Sequence, residues 1–129
     1  MDAVAPPSPP APGLPEETVC LALANAQRRH VLKRLACAPG GFTAGEAGPG
    51  SRKQRNLILK HLTLLVKLAV LTAATDANDA RCLRYRLAPG ITTRRTGPDM
   101  ELDFGCAVLR WPAGSETQPF PHPLRRQRR

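Results

Sequence analysis

The spacing of apolar residues changes period within one stretch, Arg52 to Arg86, and this change limits the folds open to the chain. Ile58, His61 or Leu62, Leu65, and Leu68 or Ala69 recur every three to four residues, a helical core stripe. A basic and amide cluster, Arg52, Lys53, Gln54, Arg55 and Asn56, leads into it. The helix begins at Ser51, or at Gln54 on a later start. Past Ala69 the pattern becomes strand-like. Val70 to Thr75 reads as a strand, Asp76-Ala77-Asn78-Asp79 as a turn, and Arg81 to Leu87 as the returning strand, closed by Pro89-Gly90. Leu83, Tyr85 and Leu87 share one face of that strand, with Cys82, Arg84 and Arg86 on the other. Leu57, Leu59 and Val66 add apolar surface outside the helical stripe, to be buried by a neighbour or a partner.

Three helices precede this stretch. Glu16 and Glu17 suit the positive end of a helix dipole, and Val19, Cys20, Leu23 and Ala24 follow at helical spacing. Ala26 to Ala36 reads as a second helix with Val31, Leu32 and Leu35 inward. Arg28, Arg29, Lys33 and Arg34 lie on its other faces, and Pro39-Gly40-Gly41 ends it. Thr43 is placed to cap a third, short helix, with Glu46 at the capping-box position. Gly48-Pro49-Gly50 stops that helix almost at once. Downstream, Leu102, Phe104, Cys106 and Val108 alternate against Asp103 and Ala107, which predicts one further strand over Glu101 to Trp111.

Composition sets the outer limits. Six prolines between Ala5 and Pro15 and four between Pro112 and Arg129 preclude helix ladders there. The reading is a Pro-rich disordered arm at 1–15, a single domain at 16–111, and a Pro/Arg-rich disordered tail at 112–129. A formal charge of +9 favours a polyanionic partner. Arg125, Arg126, Arg128 and Arg129 read equally as a solvated tail or as a phosphate-binding one. No apolar run approaches the roughly 18 residues of a membrane span. Prolines stand where the apolar core of a secretory signal would lie. Four separated cysteines without a C-x-x-C pair suit reduced thiols. The expected location is the cytoplasm, without membrane contact.

Several motifs carry a resemblance. Leu23-Ala24-Asn25-Ala26-Gln27-Arg28-Arg29 resembles the opening of ArsR-type winged helix-turn-helix regulators. Ile58-Leu59-Lys60-His61-Leu62-Thr63-Leu64-Leu65 is similar to that family's recognition-helix signature, and Glu46 to His61 keeps its spacing without a gap. Asp76-Ala77-Asn78-Asp79-Ala80-Arg81 falls at the family's wing, and Tyr85-Arg86-Leu87 resembles the strand that leaves it. The likeness spans about Thr18 to Leu87. The chain departs from the pattern with Leu59 in a small-polar slot, Ala69 in a glycine slot, Gly48-Pro49-Gly50 inside a helix, and no final helix. Element order and resemblance together give the expected fold: α+β, mainly α, a winged helix-turn-helix with a two-stranded β wing and an extra C-terminal strand. The family implies a homodimeric repressor that occupies a promoter.

The expected contacts with double-stranded DNA follow. Arg52, Lys53, Gln54, Arg55 and Asn56 stand where a recognition helix reads base edges, since Arg pairs with guanine and Gln or Asn with adenine. Lys60 and His61 lie one turn on; the resemblance points both at DNA, while His61 reads equally as a packed histidine. Arg81 and Arg84 are wing candidates for phosphate or the minor groove, and read equally as exposed hairpin charges. Thr43 is a phosphate candidate, as are Arg28 and Arg29, although a solvated helix face suits those arginines better. His30, His61 and His122 form no ligand spacing with carboxylates, and Thr43 to Gly48 holds no cysteine, so no metal and no other cofactor is expected. A zinc site from Cys20, Cys37 or Cys106 across a dimer is the weaker reading. No Ser-His-Asp spacing, Walker loop or HExxH occurs, so neither catalysis nor a small-molecule substrate is expected. The alternative is a winged-helix module that has lost DNA reading and binds a protein through Leu57, Leu59 and Val66.

Overall fold

A computed structural model describes residues 14–47 and 51–117. The Pro-rich arm up to residue 13, the Gly48-Pro49-Gly50 break, His122 and the arginine-rich tail lie outside them. The described residues are α+β, with four α-helices and two three-stranded antiparallel sheets among them.

Helix α1 (Glu16–Leu23) starts after Pro15 with Glu16 and Glu17 in its first turn. Helix α2 (Ala26–Ala36) starts at Asn25, whose side chain accepts from the Gln27 and Arg28 amides at 2.8 and 3.1 Å. These bonds satisfy two of the amides a helix start leaves open. Strand β1 (Phe42–Thr43) runs directly into helix α3 (Ala44–Ala47). The expected capping box is present: the Thr43 amide donates to Glu46 at 2.8 Å and the Glu46 amide to Thr43 Oγ1 at 3.2 Å. Helix α4 (Arg52–Lys67) takes the earlier of the two starts, with Ser51 Oγ accepting from the Gln54 amide at 3.2 Å.

Ile58, Leu62 and Leu65 on α4 are fully buried, each stabilising the fold by about 1.5–3 kcal/mol through lost apolar surface. They join Val19, Ala22, Val31, Leu32, Leu35 and Tyr85 in one core. Val66, read as surplus, packs against that core as a half-buried residue.

Strands β2 (Leu71–Thr75) and β3 (Leu83–Leu87) form the expected hairpin, with Ala73 opposite Tyr85. It is not two-stranded: β1 pairs with β3, giving the order β1-β3-β2. Two residues are too few to show a period of two, so β1 left no mark in the sequence pattern.

The C-terminal part departs furthest from expectation. One strand was expected over Glu101 to Trp111; instead β4 (Thr92–Thr96), β5 (Asp99–Asp103) and β6 (Val108–Pro112) form a second sheet in that order. The break falls at Gly105, whose φ of 95° suits glycine, with its amide held by Asp103 Oδ1 at 2.8 Å. Apolar alternation continues through this turn, which is why it read as one strand. Leu102, Phe104 and Trp111 extend the core. The folded region also overruns its expected limits. Leu14 packs on the core, Pro112 is in β6, and a 3₁₀ turn covers Ser115–Thr117.

Candidate nucleic-acid interface

Helix α4 buries one face and turns the other outward. Arg52, Lys53, Arg55, Asn56 and Lys60 are exposed, and Gln54 is half-buried nearer the core. Arg52, Lys53, Asn56, Leu57 and Lys60 border a single shallow concavity. The first turn of α4 holds no acidic residue. Its cations face the positive end of the helix dipole, an arrangement that opposes helix stability. Among the described residues, none of the side chains of Arg52, Lys53, Arg55 or Lys60 makes a hydrogen bond or ion pair.

Other arginines bond within the protein. Arg28 donates to Leu21 O at 2.9 Å and Arg29 to Leu23 O at 2.6 Å, so both hold carbonyls at the end of α1. Arg34 donates to Ala47 O at 2.6 Å at the end of α3 and lies over the Phe42 ring, 5.4 Å from its centre. All three bring positive charge to the negative end of a neighbouring helix. Arg28 and Arg29 therefore tie helices together, which displaces both the phosphate reading and the solvated one.

Two expected DNA contacts are redirected in the same way. Arg84 is a clamp: its Nε donates to Asp76 at 2.7 Å, one terminal nitrogen to Gly41 O at 2.9 Å, and the other to Glu46 at 3.1 Å. With its side chain 21% exposed and its donors committed, it ties the hairpin to α3 and to the loop before β1. The Arg84 hydrogen bond, with its charge behind it, holds the Asp76 carboxyl below its ordinary pKa. His61 is 9% exposed and faces α2, its Nε2 2.7 Å from Gln27 Oε1. Burial, followed by the charge of Arg28, lowers its pKa. A neutral imidazole donating to Gln27 suits this site. His61 is thus a packing residue, one of the two roles its position allowed.

Arg81 stays at the surface, 91% exposed, its Nε 3.2 Å from Asp79 at the hairpin tip. Thr43 is half-buried with its hydroxyl committed to the capping box. Beside it, Thr43, Ala44, Leu59, Arg81 and Leu83 line a hollow between α3, α4 and β3. Leu59 and Leu83 are 42% and 48% exposed within it. Thus Arg52, Lys53, Arg55, Asn56 and Lys60 come together on α4, while Arg81, paired with Asp79 at the hairpin tip, faces α4 across the hollow that Leu59 lines.

Among the described residues, no three His, Cys, Asp or Glu side chains converge as metal ligands would. Partial desolvation of Cys37, with the adjacent Glu116 carboxylate 3.2 Å away, pushes its thiol up to about 11, away from the reactive thiolate. No described helix is long and apolar enough to cross a membrane. The chain matches no protein-family model, no curated protein and no solved structure.

Proposed function

We propose that the chain is a winged helix-turn-helix protein that binds double-stranded DNA sequence-specifically as a homodimer and regulates transcription, as a repressor, by occupying a promoter. Helix α4 enters the major groove, and the β2–β3 hairpin carries Arg81 to the flanking backbone. The observation that carries this reading is the set of unpartnered cations on the outward face of α4, placed where they oppose the helix dipole. Asn56 on that face can bind adenine through two hydrogen bonds, and Arg52 guanine.

The experiment is a salt series with DNA from upstream of the protein's own gene. Phosphate neutralisation releases counterions, so with about four phosphate contacts per protomer log K should fall against log salt with a slope of about −3 to −4 per protomer. No shift of any fragment at low salt would sink the reading. A footprint on the retained fragment should show two half-sites about one helical turn apart.

The exposed pair Leu59 and Leu83 favours a second reading, a protein-interaction module that uses the hollow between α4 and β3. A salt slope near zero on both DNA and heparin would support it.

A further inference from the structure

We infer that the hollow between α3, α4 and β3 is a subsite for the C5-methyl group of thymine, with Leu59 as the residue that reads it; this rests on the DNA-binding reading above. Leu59 is 42% exposed and Leu83 is 48% exposed, and both line this hollow with Ala44. They are apolar groups flanked by cations, with Arg81 in the lining of the hollow and Arg55 and Lys60 beside Leu59 on α4. Along α4, Leu59 lies four residues from Arg55, three from Asn56 and one from Lys60, and Arg81 forms part of the rim of the hollow.

Charge selects the class of occupant. An apolar protein partner would leave these cations unmatched, whereas a polyanion matches them. Phosphate and sugar make no use of a leucine. In the major groove the apolar group on offer is the thymine methyl, and aliphatic side chains contact it there. Asn56, one helical turn before Leu59, has the chemistry to pair with adenine in the same or the adjoining base pair. The pairing of amide and leucine therefore specifies A·T at this position.

The test substitutes the base. Duplexes selected from a random-sequence pool by the full chain are resynthesised with deoxyuridine for thymidine, which removes only the methyl groups. Their affinities are then measured for wild type and for Leu59→Ala. Wild type should lose about four-fold in affinity per methyl contacted. Leu59→Ala should bind both duplexes alike. Equal wild-type affinities would overturn the inference and leave DNA binding standing. A thymidine preference undiminished in Leu59→Ala would move the reading to another residue and overturn the role of Leu59. A pool from which nothing is retained would overturn DNA binding and this subsite together. The wild-type comparison needs no variant, so a folding defect in Leu59→Ala leaves the inference falsifiable.

Discussion

Ala69 holds a backbone conformation that its side chain disfavours. Its φ is 63°, and it follows the last turn of α4 in a closed Schellman arrangement. The Ala69 amide donates to Val66 O at 3.0 Å and the Val70 amide to Leu65 O at 3.0 Å. Left-handed geometry costs a residue with a β-carbon roughly 1–2 kcal/mol, offset in part by the unfolded-state freedom that glycine adds. Ala69→Gly should therefore stabilise the fold by about 1 kcal/mol, read as a higher urea midpoint at unchanged slope; a lower midpoint would refute the strain. Gly41 shows the converse. At φ 73° its missing β-carbon would lie 2.1 Å from Tyr85 O, a backbone atom of β3. Gly41→Ala should cost about 3 kcal/mol or more, because neither backbone can yield without breaking the pairing of β1 with β3. Arg84 and Arg81 also separate by role. Arg84→Met should lower Tm and leave the salt slope of DNA binding unchanged in whatever protein remains folded. Arg81→Met should leave Tm unchanged and make the slope shallower by about one. The reverse pattern would exchange the clamp and the contact.

Helix α4 gives up stability to keep its surface. Cations in a first turn oppose the dipole by about 0.3–1 kcal/mol each, and no internal carboxylate offsets them. Lys53→Glu should stabilise the fold by about 1 kcal/mol and weaken DNA binding across all sequences. A variant both less stable and unchanged in binding would place the function of the turn elsewhere. This helix was legible in the sequence because stripe, cap and break all agreed: Ser51, the Ile58–Leu65 spacing and the glycines before it. The capping box of α3 was legible for the same reason, as a local pattern with a fixed spacing of three. Elements whose support comes from distant residues were not. Strand β4, Thr92-Thr93-Arg94-Arg95-Thr96, carries no apolar period at all and is held by pairing with β5 and by Arg94 on Glu101 and Asp103. Arg84 reads as a surface charge beside a turn until the carbonyls of Gly40 and Gly41, more than forty residues earlier, come within reach of it. The outward-facing polar residues of α4 were legible because a helix projects them at regular spacing. For Arg84 and His61 the sequence leaves two roles open, since only the packing of β3 and α2 determines which way each points.

Across the molecule, the depressed acids and His61 together set how the fold responds to pH. The Arg110 hydrogen bond, reinforced by Arg94, holds Glu101 below its ordinary pKa, and the Gly105 amide does the same for Asp103. Asp76 is lowered by Arg84, and His61 is lowered by burial. Each of these groups binds protons less readily folded than unfolded, so the unfolded state takes up more protons and stability rises with pH. The stabilisation from each group is fully present above its unfolded pKa and is lost as pH falls through the folded value. For His61 the loss begins below about pH 6.5, and for the carboxylates below about pH 4. The urea midpoint should therefore be flat near neutrality and fall in two stages, a shallow one from His61 and a steeper one from the acids. The steeper stage is reinforced as the remaining cations repel in a chain of formal charge +9. His61→Gln keeps a polar partner for Gln27 and removes the titration, so the shallow stage should vanish while the steep one stays. A shallow stage that survives in His61→Gln would take that step away from the α2–α4 contact. A midpoint that rises on acidification would contradict the ion-pair account of both sheets.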